Sequence, residues 1–276
     1  MTSAIRILQG WGAGGVALVA ALSLSACGSD AQTPRFLHYV ALGDSYTAAP
    51  GVEPASGTGE CGRSKVNYPQ LVAAALKVRL DDVSCSGATV ADLLQGQSIS
   101  GQVLQAQVDA VTAETDLVTI GVGGNDLDLI GLASACVTGA SDCAIRVARV
   151  QQSLTALPAR IEKVVRTVRS RAPEATVVLV GYPTIISAQA PCAALPVPAE
   201  VVSAAIDING RLVTALKAAA AATDSDFADL SSATAEHGLC GAEPWIAGID
   251  GKGAEPLHPT EDEQRLAAAT VLALVE

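Results

Sequence analysis

The feature that most constrains the fold of this chain is an alternation, beginning near Arg35, of brief apolar runs with longer helical patterns. The runs Leu37–Leu42, Asp82–Cys85, Leu117–Gly121, Thr176–Val180 and Asp226–Ala228 are short and flanked by turn residues, as strands of a covered parallel sheet are. Between them, Tyr68–Val78 sets alanine and leucine on a common face. Ile145–Arg169 repeats Leu154, Leu157, Ile161, Val164, Val165 and Val168 at three-and-four spacing. Ala199–Ala222 follows a proline-rich stretch and runs into an alanine tract. Glu261–Val275 follows His258-Pro259-Thr260, which places Thr260 to cap the helix with Glu263 three positions on. Strand–helix units in this order predict an α/β fold with helices layered around one sheet. No internal repeat or domain-splitting linker interrupts residues 35–276, which read as one domain.

Residues 1–27 stand apart. Arg6 gives a small basic start, Val16 to Leu24 is mostly apolar, and Leu24-Ser25-Ala26-Cys27 ends the segment. That is the shape of a secretory signal, too short for a spanning helix. The Leu-Ser-Ala-Cys ending resembles a bacterial lipoprotein box, which predicts lipidation at Cys27, a polar tether over residues 28–34, and an exported lipoprotein held at the cell membrane on its extracytoplasmic side. Ordinary signal cleavage with no lipid on Cys27, or an uncleaved anchor, are the alternatives.

Removing the leader leaves about 250 residues, enough for one substantial core. The net charge of the whole chain is -11, and loss of the leader removes Arg6 and no acid. With no basic run longer than a pair, this balance argues against a nucleic-acid partner. Beyond Cys27 the cysteines are Cys61, Cys85, Cys136, Cys143, Cys192 and Cys240, an even set that in an exported chain suggests three disulfides in one of several pairings. Their spacing lacks the close pairs of a zinc site and the chain has only 3 histidines, so neither a metal nor another cofactor is expected.

Serine chemistry needs a hydroxyl nucleophile, a base in reach of it, and donors aimed at the oxyanion that forms. Leu42-Gly43-Asp44-Ser45-Tyr46 puts Ser45 at the carboxyl end of the first strand, where parallel sheets place ligands. Gly-Asp-Ser also occurs in ordinary turns, but here Tyr46-Thr47 can open a helical turn whose N–H groups face the same point as the hydroxyl. The later segments are Gly121-Val122-Gly123-Gly124-Asn125-Asp126 and Leu257-His258-Pro259. His38 starts the first strand, at the wrong end for a base, and His237 lies in a cysteine-pinned loop near Trp245. Asp44 and Asp126 are expected to hold their loops by accepting backbone N–H bonds.

Gly43-Asp44-Ser45-Tyr46, Gly87 within Cys85-Ser86-Gly87-Ala88-Thr89, Gly123-Gly124-Asn125-Asp126 and His258 resemble, in order, the four blocks of the SGNH (GDSL-like) hydrolase family. The resemblance is closest to secreted actinobacterial lipases and esterases with three disulfides. It implies a flavodoxin-like three-layer α/β/α sandwich and the pairings Cys61–Cys85, Cys136–Cys143 and Cys192–Cys240. It also implies Ser45 as nucleophile, His258 as base, and an oxyanion hole built from the N–H groups of Ser45 and Gly87 and the Asn125 amide. The family's usual aspartate three residues before the base is Glu255 here. Either its carboxylate or its main-chain carbonyl is expected to orient His258, with Asp250 a further candidate; Trp245 is a candidate substrate-lining ring.

These residues together predict a monomeric serine esterase or lipase that cleaves carboxylic esters, of lipidic acyl type, through an acyl-enzyme on Ser45. Acyl transfer by the same residues, and a non-catalytic envelope binding protein, are the competing readings.

Overall fold

The computed structural model describes residues 35–57, 59–128, 143–187, 195 and 199–276. Strand β1 (His38–Gly43) runs into a single helical turn, α1 (Ser45–Ala48). Helix α2 (Tyr68–Leu76) leads to β2 (Arg79–Asp82), and α3 (Val90–Gln95) to a hairpin of β3 (Ser98–Ile99) and β4 (Gln102–Val103). There follow β5 (Leu117–Gly121), α4 (Cys143–Arg171), β6 (Thr176–Val180), α5 (Ala199–Ala222), β7 (Asp226–Ala228) and α6 (Glu261–Val275).

The main sheet has 5 strands in the order β2-β1-β5-β6-β7, and every pairing in it is parallel. Side-chain alternation along each strand divides the core in two. Val40, Leu42, Val118 and Ile120 pack with Leu157 and Ile161 of α4 and Leu212 and Leu216 of α5. Tyr39, Ala41, Leu117 and Val178 pack instead with Val72 of α2 and Ala268 and Val271 of α6. The sheet is therefore covered on both faces, the three-layer α/β/α sandwich expected from the sequence. Fully buried side chains such as Leu157 and Ile161 each stabilise this arrangement by roughly 1.5–3 kcal/mol.

Strand order reverses between β1 and β5, and in an open α/β sheet the crevice at such a point is where ligands bind. Ser45 directly follows β1 and Asn125 lies just past β5.

Two expectations shift. The second strand is Arg79–Asp82 rather than Asp82–Cys85. It is an edge strand paired only with β1 in the main sheet, so it carries charge where an apolar run was sought. Thr260 occupies the cap position of α6 without capping it, because its hydroxyl donates to the Trp245 carbonyl at 3.0 Å. Glu263 turns into the core instead of back to the cap and is 1% exposed.

The expectation of three disulfides is corrected to the one whose two partners are both described, Cys61–Cys85, with Cα atoms 4.1 Å apart. Cys240 is disulfide-bonded as well. Each of the other two expected pairs has a member, Cys136 or Cys192, outside the described residues.

Candidate active site

The turn after β1 is built by close approach. A Cβ on Gly43 would lie 2.1 Å from the Thr47 hydroxyl and 2.7 Å from the Gly121 carbonyl, so only glycine fits. Both main-chain groups of Gly43 are held by one side chain: Gln107 Oε1 accepts from its N–H at 2.8 Å and Gln107 Nε2 donates to its carbonyl at 2.9 Å. Asp44 then caps α1, its Oδ1 accepting from the Tyr46 N–H at 2.9 Å. Ser45 is left as the first residue of the turn.

His258 Nε2 lies 2.9 Å from Ser45 Oγ although 213 residues separate the two. The other ring nitrogen, Nδ1, is 2.8 Å from the Pro256 carbonyl. That acceptor makes Nδ1 the protonated nitrogen and leaves Nε2 free to take the serine proton. Glu255 is brought near without touching the ring: its carbonyl accepts the His258 backbone N–H at 3.0 Å, and its side chain is exposed. Main-chain bonds fix the His258 segment, Ala247 N–H donating to the His258 carbonyl and Leu257 N–H to the Ala247 carbonyl, both at 2.9 Å. Tyr46 clamps the same segment to the serine turn by donating from its hydroxyl to the Leu257 carbonyl at 2.7 Å. Its ring also packs at a tilt against His258, with centroids 5.4 Å apart.

Asn125 and Gly87 are both exposed at this edge and meet through Ala88, whose carbonyl accepts from Asn125 Nδ2 at 3.0 Å. One amide hydrogen of Asn125 remains for a ligand. Gly87 has φ +79, a left-handed conformation that glycine adopts without strain. Neither the Ser45 nor the Gly87 N–H has an acceptor among the described residues.

The two loops share a buried polar chain. Gly124 N–H donates to the Tyr182 hydroxyl at 2.8 Å, and Tyr182 donates in turn to Asp44 Oδ2. Burial pushes the Asp44 carboxyl up to about 7, against the lowering effect of the bonds from Tyr182 and Tyr46. Asp126 accepts the Val90 N–H at 3.0 Å and faces Arg160, and burial raises its carboxyl despite that cation. Both aspartates thus hold loops, as the sequence suggests.

The remaining candidates fall elsewhere. His38 is at the opposite end of β1, with Nε2 2.8 Å from Asp81 and Nδ1 3.3 Å from the Thr115 hydroxyl. His237 has its Nδ1 on the Glu243 carbonyl at 2.9 Å and stacks on Trp245 at 3.7 Å between centroids. Trp245 is tied by its backbone to the segment after His258, since Thr260 N–H donates to its carbonyl at 2.8 Å. Among the described residues no group of metal-ligating side chains could hold an ion. Reading the sequence missed the Pro256 carbonyl and the tyrosines. A main-chain acceptor carries no side-chain signal, whereas Tyr182 follows β6 at the same sheet edge as Ser45 and could have been found by that placement.

A family model described as GDSL-like Lipase/Acylhydrolase matches residues 41–266. A lipase of Streptomyces rimosus is 35% identical over 258 residues, covering 90% of this chain and 90% of that protein. Among solved structures, an extracellular lipase from Streptomyces rimosus superposes with a TM-score of 0.74 at 30% identity, over 86% of this chain and 99% of that one. Phospholipase A1 from Streptomyces albidoflavus gives 0.73 at 29% identity, with the same two coverages. These relatives overturn the expectation of a membrane lipoprotein anchored through Cys27, since the similar enzyme is extracellular. The four-residue ending on which that expectation stood follows a basic start and an apolar run of the kind that signals of freely secreted proteins also have. Cys27 lies outside the described residues, among which no helix is long and apolar enough to cross a membrane.

Proposed function

The chain belongs to the GDSL-like lipase/acylhydrolase family and is a carboxylic ester hydrolase, and we propose that it cleaves lipidic acyl esters through an acyl-enzyme on Ser45. The observation that carries the reading is the 2.9 Å contact of His258 Nε2 with Ser45 Oγ. Ser45 Oγ attacks the ester carbonyl carbon as His258 takes the hydroxyl proton. The imidazolium that forms is stabilised by the Pro256 carbonyl at Nδ1, so the positioned pair works as a dyad with a main-chain orienter. Collapse of the tetrahedral intermediate breaks the bond to the alcohol, which leaves with the proton from Nε2. Water then repeats the sequence on the acyl-enzyme, again with His258 as base, and releases the acid.

The negative charge formed in each half is met by the N–H groups of Ser45 and Gly87 and the free amide hydrogen of Asn125, each such donor contributing about 3 kcal/mol. Asn125 is held for this by its bond to Ala88, and Gly87 by its left-handed turn. The lipidic preference is supported by the names of the similar enzymes, two lipases and a phospholipase A1. We place Trp245, stacked on His237, at the edge of the acyl site.

Hydrolysis of p-nitrophenyl esters from acetate to palmitate by the wild type and Ser45→Ala tests this. Turnover that rises with chain length and is lost in Ser45→Ala is expected. A preference for acetate would refute the lipidic part, and full activity in Ser45→Ala would refute the mechanism.

A further inference from the structure

The Gly87 N–H needs aiming. The Ser86–Gly87 peptide is planar and trans, so its C=O and N–H point in opposite directions. Gln97 Nε2 donates to the Ser86 carbonyl at 2.8 Å, at the end of that peptide opposite the Gly87 N–H. We propose that Gln97 is a positioning residue for hydrolysis, whose amide holds and polarises the Ser86–Gly87 peptide so that the Gly87 N–H faces the oxyanion. The proposal rests on the reading of Gly87 as an oxyanion donor.

The bonding of the segment supports it. Ser86 N–H donates to the Cys61 carbonyl at 3.0 Å, and Ala88 N–H to the Cys85 carbonyl at 3.1 Å. The Ser86 carbonyl takes Gln97, and the Ala88 carbonyl takes Asn125 at 3.0 Å. Both groups of both flanking residues are thus occupied, and the Gly87 N–H between them has no acceptor among the described residues. A donor on a peptide carbonyl also strengthens the N–H of the same unit, because the two dipoles align.

Gln97 is itself built in rigidly. It is 8% exposed, and both its main-chain groups pair with Leu104, at 3.3 Å and 2.8 Å. Gly96 permits that pairing, since a Cβ there would lie 2.3 Å from the Leu104 carbonyl oxygen. The orientation of the Gln97 amide is set by chemistry, because its reverse would put Oε1 against the Ser86 carbonyl oxygen. Oε1 is buried with no donor among the described residues, so burial of this amide is not offset by bonds at both ends. A methionine would fill the same volume without that cost, which is the sign of a polar group kept for the one bond it makes.

The test compares wild type, Gln97→Met and Gln97→Glu on p-nitrophenyl butyrate. Inhibition by an alkyl trifluoromethyl ketone is read alongside, since its adduct with Ser45 puts an oxyanion in the hole, and thermal unfolding reports folding. Gln97→Met should lower kcat about tenfold with KM within about twofold, and weaken the ketone by the same factor as kcat. Gln97→Glu sets acceptor against acceptor when ionised and can donate again when protonated. Its activity relative to wild type should therefore rise as pH falls. If Gln97→Met lowers the melting temperature but leaves kcat and ketone affinity at wild-type values, Gln97 is a packing residue and the proposal is overturned. Should Gln97→Met fail to fold, a pH-independent ratio for Gln97→Glu overturns it equally. Asn125→Ala separates the two levels. Wild-type kcat and ketone affinity in both Asn125→Ala and Gln97→Met refute the oxyanion reading and this proposal with it, whereas a large loss in Asn125→Ala beside an unaffected Gln97→Met refutes Gln97 alone.

Discussion

Glu263→Gln should make the protein more resistant to alkaline pH, by an amount that the structure allows to be worked out. Glu263 is 1% exposed, and its carboxyl accepts from Gln264 Nε2 at 2.8 Å with no cation in contact among the described residues. It borders a cavity of about 10 Å³ shared with Tyr46, Tyr68 and Tyr182, near the smallest space that admits one water, so solvent gives an ionised carboxylate little relief. Burial therefore pushes the group up from 4.5 to about 8. The folded state holds this proton where the unfolded chain has released it. Its contribution to stability is thus full below pH 4.5 and is lost as pH rises through 8. The whole interval corresponds to roughly 5 kcal/mol, and local relaxation brings the expected loss to about 3 kcal/mol. Glutamine keeps the shape and the bond from Gln264 but does not titrate. In thermal unfolding across pH 4 to 9, about 3 kcal/mol separates the variants at the alkaline end, or roughly 6–12 °C in a domain of this size. They should converge at the acid end. Asp44 titrates in an overlapping range but does so in both proteins, so it cancels from the difference. Parallel curves, or a variant that is weaker at every pH, would refute the reasoning by showing that the carboxylate is stabilised where it sits.

Asn125→Ala should reduce kcat by about 100-fold or more with little change in KM, since its amide meets charge that exists only in the transition state; steady-state kinetics on a p-nitrophenyl ester read both. Glu255→Gln should keep kcat within about threefold and leave the pH profile in place, because the Pro256 carbonyl and not the carboxylate faces Nδ1; a loss of about 100-fold would restore the carboxylate as orienter. Replacing Cys61 and Cys85 together by serine should cost about 3 kcal/mol in urea unfolding, as expected for a cross-link between residues 24 apart, and unchanged stability would show the bond to be incidental.

How far the sequence foretold this site depends on which kind of group did the work. Buried strands announced themselves: Leu117–Gly121 and Thr176–Val180 fall where their apolar runs put them, because covered strands must be apolar. The edge strand Arg79–Asp82 was displaced, since a strand open to water on one side carries no such mark. At the site, Ser45 and His258, the proposed nucleophile and base, were legible as side chains in a motif, and the structure brings them into contact. The group on Nδ1 was not, because any residue at position 256 has a carbonyl and the choice of that one is made by the turn around Leu257, at φ +62. Gln97 was missed for the same reason in reverse: its partner is a main-chain carbonyl, and nothing in the letters near Gly87 points to it. Thr260 and Glu263 mimicked a capping box, but the Thr260 hydroxyl turns to the Trp245 carbonyl and Glu263 turns into the core, where its neighbour Gln264 donates to it.

The contact between Ser45 and His258 bridges 213 residues of chain, which sets the order in which a growing polypeptide can become dangerous. Ser45, Gly87 and Asn125 are all synthesised while His258 has yet to be made. Until then Ser45 lacks the imidazole that lies against it in the folded protein, and on the proposed mechanism the emerging chain meets esters without cutting them. A nascent chain arrested before residue 258 should hydrolyse nothing. Reactivity arrives only when the segment carrying His258 docks against Ala247 and Tyr46, so completing the fold is also what arms the enzyme.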